Sequence, residues 1–522
     1  MKRKSLDYTT LFAVSFAVLL GGVVRFFPVY LSHFPLNDGG LFYTMTQDIL
    51  DHNFSLPVYT SYNGNAIPFG YPPLPFYLLA LLQRFLHFGL IDQLHFLPAF
   101  FSTLAIPALY FLSKSITSSK EKSIFAVFAY ALMPNSYLWL IMGGGISRSL
   151  GVLFGILSVL FVLEMFRNPK FRNLLVSIVF CSLTILCHPA IASFVFMSSL
   201  LIGLIYGLNK KGILYAVLTV IGILLLTSPW WISIIQRHGV SLLFTAGQTG
   251  GFINLSIITF FFAGAPFATI FTIVALFGLF AELVRRRFFL FAWMIVISIL
   301  SVRSAEFLAT IPGSLLFGSG VVWVLVPGLV SYSRRLPGDS QTLAEIMQER
   351  ITKVTLGIIL VFALFSAMVT PFVGLTETRS LSQYDQEAMQ WASQNTSLSS
   401  QFVLLTGDKE WFTDPISEWF PALSRRISVS TVQGSEWLPD HEFTKQSKRY
   451  TLLQGCAEQD YSCTLSWAMN NDISFSYLYT TKRNGGDQGL SLPSINSMMT
   501  SDRLQLVFDN PGVSIFKLAS NP

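Results

Sequence analysis

The sequence is organised around residues 35–77, which read PLNDGGLFYTMTQDILDHNFSLPVYTSYNGNAIPFGYPPLPFY. This stretch is the one long polar interval in the first two-thirds of an otherwise apolar chain, and it follows the first apolar segment directly. A loop of this length without obvious regular structure is usually either functional or disordered. Because the stretch is rich in aromatic residues, glycine and proline, we predict that it folds and forms the top of an active site.

The composition indicates a membrane protein. Apolar residues make up 52% of the chain and charged residues 12%, whereas soluble proteins carry about 25% charged residues. One globular core cannot bury that much apolar surface, so we predict a polytopic α-helical membrane protein. The net charge of +6 comes from short basic clusters between apolar runs, which is the orientation signal of membrane proteins. Nucleic acid is therefore not expected as a partner.

Apolar segments of about 17 to 25 residues are long enough to cross a bilayer. We predict about 11 spans, or 13 if one pair is missed. The candidate segments are residues 9–27, 73–90, 96–112, 123–142, 146–166, 174–187, 190–207, 213–235, 257–284, 288–302, 307–330 and 354–373. The first segment lacks a cleavage site and is expected to be retained.

The basic loops predict the orientation of the chain. If they all face the cytoplasm, the N-terminus is cytoplasmic, whereas the first loop (residues 28–72) and everything after residue 373 lie outside. The parity of the spans then requires part of residues 73–96 to lie along the membrane or to re-enter it. We therefore divide the chain into a transmembrane domain, residues 1–373, and an extracytoplasmic C-terminal domain, residues 374–522.

The C-terminal domain is predicted to be a soluble α/β domain. Residues 382–395 have helical spacing, and residues 401–407, 474–481 and 504–518 have the composition of strands, the last of them forming a hairpin. Cys456 and Cys463 lie in this domain, where a disulfide is possible if the domain is outside the cell.

Charged or titratable groups gather at one side of the predicted membrane domain. Ionisable groups at such positions are costly and usually face a functional cavity. Cationic groups suit a phosphate, and a carboxylate suits a base or a metal ion. Five outer connections contribute the candidate site residues, which are Asp38, Asp48, Arg148, His188, Arg237, Arg303 and Glu306.

Each candidate also has a structural interpretation. An arginine near the membrane surface can extend to the lipid headgroups, a histidine before proline can serve a turn, and an aspartate can cap a helix. Asp38 competes in this way with a helix predicted to start near Gly40, and Glu306 can simply pair with Arg303. The coincidence of the whole group at one side favours a site.

Three short motifs carry a resemblance to a known family. They are Asn37-Asp38-Gly39-Gly40, Tyr71-Pro72-Pro73-Leu74 and Met142-Gly-Gly-Gly-Ile-Ser-Arg148. With one N-terminal span, a long outer loop, many further spans and an outer C-terminal domain, the chain resembles the GT-C class of membrane glycosyltransferases. It is most similar to the prokaryotic branch that includes lipid A aminoarabinose transferases and protein mannosyltransferases.

The resemblance implies transfer of a sugar from a polyprenyl-phosphate carrier to a lipid, glycan or protein acceptor on the outer face of a prokaryotic plasma membrane. It implies inversion at the sugar, with Asp38 as the general base or as a ligand of a divalent cation, Mg or Mn. The family often has two acidic residues here, whereas this chain has Asn37 before Asp38. Aminoarabinose transferases have a lysine where this chain has Tyr71, so the contact with the carrier phosphate passes to Arg148 or Arg303, and Tyr71 is expected among the substrate-binding residues.

Two other classes of function stay open at this stage. A transporter or flippase for a lipid-linked glycan usually shows paired halves with broken helices, and no internal repeat is visible here. A non-catalytic membrane scaffold is compatible with the incomplete acidic motif. The variant Asp38→Asn separates an enzyme from a scaffold, because it abolishes catalysis and leaves folding and partner binding intact.

Overall fold

The structure is a computed structural model that describes residues 7–64, 66–245, 269–300, 305–333, 345, 348–373, 378–482 and 492–519. Apolar α-helices dominate the described chain up to residue 373, and a mixed β-sheet covered by helices follows. The predicted fold class is confirmed, since the protein is a polytopic helical membrane protein with a C-terminal α/β domain.

Fifteen α-helices lie in the described chain before residue 373. They are α1 (Tyr8–Leu31), α2 (Gly40–Asp51), α3 (Leu74–Leu86), α4 (Leu90–Thr117), α5 (Lys120–Leu132), α6 (Gly145–Arg167), α7 (Phe171–Ile185), α8 (Pro189–Tyr206), α9 (Lys210–His238), α10 (Ser241–Thr245), α11 (Thr269–Val284), α12 (Phe289–Leu300), α13 (Ala305–Gly320), α14 (Val326–Ser333) and α15 (Arg350–Val369). A π-helical segment, Val321–Leu325, joins α13 to α14.

Seven helices of the described chain are long and apolar enough to cross a membrane. They are Tyr8–Leu31, Leu90–Thr117, Gly145–Arg167, Pro189–Tyr206, Lys210–His238, Glu306–Leu329 and Arg350–Phe372. Four further apolar helices are shorter, and α3 is one of these. At 13 residues, α3 is below the length that a span needs, in accord with the re-entrant or surface-lying segment expected here. The total of 11 to 13 spans stays a prediction.

Residues 123–142, predicted as one span, do not form a continuous helix. Helix α5 ends at Leu132, and two 3₁₀ turns, Pro134–Ser136 and Leu138–Leu140, carry the chain away at an angle of 86°. Pro134 has no N–H to donate to the preceding turn, so the helix stops before it. The bend brings the glycine break after Met142 to the start of the first loop, where the Gly143 N–H donates a hydrogen bond to the Leu36 carbonyl.

The first loop is folded, as predicted. It contains α2, which begins at Gly40 as expected, and a short antiparallel ribbon of β1 (Tyr59–Thr60) and β2 (Ile67–Pro68). Tyr77 of α3 donates a hydrogen bond to the Phe54 carbonyl at 3.1 Å and ties the loop to the following helix.

A five-stranded sheet with the order β4-β3-β5-β7-β6 forms the centre of the C-terminal domain. β3 pairs in parallel with β4 and β5, and β7 pairs antiparallel with β5 and β6. The strands are β3 (Gln401–Leu405), β4 (Ile427–Ser428), β5 (Tyr477–Thr481), β6 (Leu504–Asp509) and β7 (Val513–Leu518), and the helices are α16 (Gln383–Asn395), α17 (Pro415–Ser424), α18 (Glu442–Gln454), α19 (Tyr461–Asn470) and α20 (Leu492–Met499). The predicted helix and strands are present, whereas β4 and helices α17 to α20 were not predicted.

The C-terminal domain and the first loop share one hydrophobic core. Phe34 and Phe42 of the loop region belong to the same buried cluster as Phe402, Trp419 and Phe420 of the domain. Burial of aromatic side chains dominates the energetics of such contacts. The two parts therefore pack as one unit.

Candidate active site

Asp38 lies in the turn between α1 and α2, with its carboxylate at the start of α6. Oδ1 accepts a hydrogen bond from the Gly144 N–H at 2.9 Å, and Oδ2 accepts one from Nη2 of Arg148 at 2.9 Å. The N-cap position of α2 is Gly39, and the Asp38 carboxylate accepts no capping hydrogen bond from the N–H groups of that helix. The interpretation of Asp38 as the cap of α2 is therefore wrong. The carboxylate faces Gly144 and Arg148 instead.

The glycine break after Met142 allows the close approach of Asp38. A Cβ atom on Gly143 would lie 2.2 Å from the carbonyl oxygen of Asp38, and one on Gly144 would lie 2.7 Å from Oδ2. The Gly144 N–H lies 3.1 Å from that same carbonyl oxygen. Glycine is needed at these positions because the Asp38 backbone and carboxylate occupy the space that a side chain would take.

Arg148 lies in the first turn of α6 and links the bend to the first loop. Its Nε donates a hydrogen bond to the Trp139 carbonyl at 2.8 Å, and its guanidinium carbon lies 5.7 Å from the centre of the Trp139 ring. The side chains of Arg148 and Asp38 are 15% and 18% exposed, so a reactant can reach both. We call these two side chains the Asp38–Arg148 pair.

Tyr71 and His188 lie next to the Asp38–Arg148 pair. Their ring centres are 6.3 Å apart, and the phenol of Tyr71 also contacts Ser147 on α6. Burial raises the pKa of Tyr71 to about 12, and burial together with the charge of Arg148 lowers the pKa of His188 to about 3. At neutral pH both rings are therefore uncharged. The structure brings them to the predicted site, and their binding roles stay predictions.

Asp48 and Arg237 hold the first loop in shape. Asp48 accepts hydrogen bonds from the Thr60 hydroxyl and from the backbone and hydroxyl of Ser61. Nη1 of Arg237 donates to the Leu56 carbonyl at 2.8 Å. No contact found among the described residues joins either side chain to the Asp38–Arg148 pair. Their predicted role in binding substrate stays untested, and the observed contacts give both a structural role.

The last two predicted site residues stay untested. Arg303 lies outside the described residues. Glu306 is exposed in the first turn of α13, and no described residue of the Asp38–Arg148 pair or its neighbours contacts it. Their roles remain predictions.

Glu418 is a site residue that the sequence did not reveal. Its Oε1 accepts hydrogen bonds from the backbone N–H groups of Gly39 at 3.3 Å and Leu41 at 3.2 Å, on either side of the start of α2. Burial, with the negative charge of Asp38 beside it, raises the pKa of Glu418 to about 8. Glu418 is 377 residues or more away from these two partners in the sequence, so no local residue spacing predicts the contact.

The residues around Asp38 do not fit a divalent cation. Mg²⁺ and Mn²⁺ need several oxygen ligands, whereas the two Asp38 oxygens face an amide N–H and a guanidinium. In the part of the chain that the structure describes, no three His, Cys, Asp or Glu side chains come together as a metal site would require. The expected Mg or Mn at Asp38 has no ligand set here.

Comparison with known proteins gives matches in structure only. No protein-family model matches the chain, and no curated protein matches it. Solved structures do match. The archaeal oligosaccharyltransferase AglB from Archaeoglobus fulgidus, in complex with an inhibitory peptide and a dolichol-phosphate, is 13% identical with a TM-score of 0.57, over 92% of this chain and 70% of AglB.

Two further solved structures match over nearly the whole of this chain. ArnT from Cupriavidus metallidurans bound to undecaprenyl phosphate is 12% identical with a TM-score of 0.53, over 98% of both chains. The arabinofuranosyltransferase AftD from Mycobacteria is 14% identical with a TM-score of 0.56, over 97% of this chain and 41% of AftD. At these identities the likeness concerns the fold. The predicted resemblance is confirmed at that level, and the protein has a GT-C-like fold.

Proposed function

We propose that this protein is a glycosyltransferase that moves a sugar from a polyprenyl-phosphate carrier to an acceptor. The observation that carries the proposal is the partly open Asp38–Arg148 pair, a carboxylate and a guanidinium 2.9 Å apart at the start of the first loop. The matching structures support the donor class, because AglB is in complex with a dolichol-phosphate and ArnT is bound to undecaprenyl phosphate. The acceptor is a lipid, a glycan or a protein.

In the proposed reaction Asp38 is the general base. An acceptor hydroxyl or amine attacks the anomeric carbon while its proton passes to a carboxylate oxygen of Asp38. The bond between that carbon and the phosphate oxygen breaks, and the electron pair leaves with the polyprenyl phosphate. One displacement of this kind inverts the anomeric centre. Arg148 holds the Asp38 carboxylate in position through the 2.9 Å contact between Nη2 and Oδ2.

Arg148 also has a role at the leaving group in this proposal. Its guanidinium presents a planar set of N–H donors, of which Nε and Nη2 are engaged with Trp139 and Asp38. A contact from the remaining donors to the carrier phosphate would strengthen as negative charge develops, which lowers the barrier. Arg303 stays a second candidate for that contact. Uncharged Tyr71 and His188 are suited to bind sugar hydroxyl groups.

We propose the same orientation as the basic loops predict, with the C-terminal domain outside a prokaryotic plasma membrane. Cys456 and Cys463 form a disulfide in the C-terminal domain. Disulfides persist in oxidising compartments and are rare in the cytosol. The disulfide therefore supports an extracytoplasmic location for this domain, and with it for the first loop that packs against it.

The test uses the full chain in lipid nanodiscs with a panel of polyprenyl-phosphate sugars and measures release of polyprenyl phosphate. We expect turnover by the parent and a loss of about 100-fold or more in Asp38→Asn, because general-base catalysis contributes on that order. Asp51→Asn is the matched control, since Asp51 is an exposed carboxylate at the end of α2. Undiminished turnover in Asp38→Asn, or no donor binding and no turnover across the panel, would overturn the proposal.

A further inference from the structure

Helix α17 of the C-terminal domain lies directly against the residues that flank Asp38. Nε1 of Trp419 donates a hydrogen bond to the Asn37 carbonyl at 2.9 Å. A Cβ atom on Gly39 would lie 2.8 Å from the Trp419 ring, and one on Gly40 would lie 2.4 Å from the Glu418 carbonyl oxygen. Because the two glycines have no side chains, the backbone of the first loop contacts α17 directly.

Helix α2 begins without a capping side chain of its own. The first N–H groups of a helix have no partner within it and are usually satisfied by a Ser, Thr, Asp or Asn at the N-cap position. Here that position is Gly39, which has no side chain. Glu418 accepts hydrogen bonds from the N–H groups of Gly39 and Leu41 instead. The cap of this helix comes from another domain.

The residue before Asp38 is held by the C-terminal domain as well. The Asn37 amide group donates a hydrogen bond to the Phe412 carbonyl at 2.9 Å, and the Asn37 N–H donates one to the Arg379 carbonyl. Asp38 therefore stands between two residues, Asn37 and Gly39, whose backbones are both bound to that domain. Asn37 has a φ of 49°, which a residue with a side chain keeps only where the surroundings hold it, and Gly39 has a φ of 137°, which glycine adopts freely.

We propose that Glu418 is a positioning residue that caps α2 from the C-terminal domain and thereby fixes the Asp38 carboxylate against Gly144 and Arg148. The inference rests on the proposed function, in which Asp38 is the base. It also implies that the reactive site is complete only when the C-terminal domain is docked on the first loop. A base displaced by about 1 Å can lose on the order of 100-fold in rate.

Two substitutions of Glu418 by residues of nearly equal size distinguish a role in hydrogen bonding to α2 from a role in filling space. Glu418→Gln keeps an oxygen that accepts hydrogen bonds from Gly39 and Leu41, whereas Glu418→Met fills the same space without one. We expect Glu418→Met to lower kcat about 10- to 100-fold with little change in the KM for the donor, because Arg148 remains in place. Glu418→Gln restores most of the parent kcat. A residue that serves only packing would give two similar variants.

Hydrogen–deuterium exchange supplies a readout that does not depend on turnover. We expect faster exchange in the peptide over residues 39–44 of Glu418→Met than in Glu418→Gln or the parent, and equal exchange in strand β3, which reports a folded domain. If the parent shows no turnover but exchange in residues 39–44 is faster in Glu418→Met, the proposed function fails, whereas the capping of α2 by Glu418 is supported. Exchange and kcat in Glu418→Met that equal those of the parent would show that Glu418 does not cap α2. Equal losses of kcat in Glu418→Met and Glu418→Gln would show the same. If Glu418→Met does not fold, Glu418→Ala replaces it in the same comparison.

Discussion

Nη2 of Arg148 and Oδ2 of Asp38 lie 2.9 Å apart, although 110 residues separate them in the sequence. The same guanidinium donates through Nε to the Trp139 carbonyl at the bend after α5. One side chain thus joins the start of the first loop, the bend and α6. A planar fork with fixed donor directions makes this possible.

Arg148→Lys is expected to fail as a substitute for arginine. A lysine ammonium has a single nitrogen. It cannot donate to the Trp139 carbonyl and to Asp38 in the fixed directions in which the planar guanidinium donates. We expect turnover to fall about 10-fold or more, measured as release of polyprenyl phosphate. Arg167→Lys is the control, because Arg167 lies at the opposite, exposed end of the same helix. Equal turnover in Arg148→Lys and the parent would show that the simultaneous hydrogen bonds of Arg148 to Trp139 and Asp38 are not needed.

Gly144→Ala tests the close approach of the glycine break to Asp38. The added methyl group would lie 2.7 Å from Oδ2, so the carboxylate must move away from Arg148. We expect a loss of turnover with a folded protein, checked by parallel measurement of the thermal unfolding temperature. Gly203→Ala is the control, since its Cβ would meet Phe166 at an ordinary 3.5 Å. Similar turnover in the two alanine variants would argue against the geometry.

The membrane helices could be predicted because their signal is local. Apolar runs located the seven long apolar helices to within about six residues, while the predicted segments 257–284 and 288–302 lie partly outside the described residues. Asp38 and Arg148 stood out as charges beside glycines in a predicted site. The break in residues 123–142 was missed because an apolar run continues through Pro134 while the helix does not. Glu418 was missed for a different reason. Its partners lie in another domain, and docking of two domains leaves no periodic pattern in either sequence.

Arg25 is expected to hold the bend after α5 in place. It is fully buried in α1 and donates hydrogen bonds to the Ala131 and Tyr130 carbonyls and to the Ser136 hydroxyl at the end of α5. Arg25→Met leaves the Ala131 carbonyl without its side-chain donor in an apolar surrounding, which costs about 1 to 3 kcal/mol, whereas the Tyr130 carbonyl keeps the hydrogen bond from the Ser136 hydroxyl. We expect a lower unfolding temperature in detergent.

Arg172→Met provides the comparison for Arg25→Met, because Arg172 is exposed at the start of α7. It removes the same charge without opening a buried network. Surface substitutions of this kind usually change the free energy of unfolding by less than about 0.5 kcal/mol. Unfolding temperatures that agree between the two variants would show that Arg25 does not stabilise the bend.

Turnover is expected to persist in the presence of a chelator. The oxygens of Asp38 face Gly144 and Arg148, so a divalent cation has no vacant carboxylate there. The measurement is donor turnover in EDTA, with and without added Mg²⁺ or Mn²⁺. Loss of turnover in EDTA that either ion restores would contradict this prediction and place a cation in the reaction.

The titration of Glu418 makes stability depend on pH in a definite direction. Burial, then Asp38 and then Glu436 raise its pKa from 4.5 to about 8, while the Leu41 and Gly39 amides act in the opposite sense. Between these two values the folded protein binds a proton that the unfolded chain has released. The free energy of unfolding from this group is therefore highest at low pH and falls as pH rises through the window.

Glu418→Gln removes that titration and keeps the cap of α2. We expect the unfolding temperature of the parent to fall relative to this variant as pH rises from about 5 to about 8, measured on both proteins in the same detergent. The difference between the two proteins is the informative quantity, because the titrating groups that do not interact with Glu418 are common to both and cancel. A difference that does not change with pH would mean that Glu418 titrates near 4.5, and therefore that the contact between α17 and the first loop is open to water.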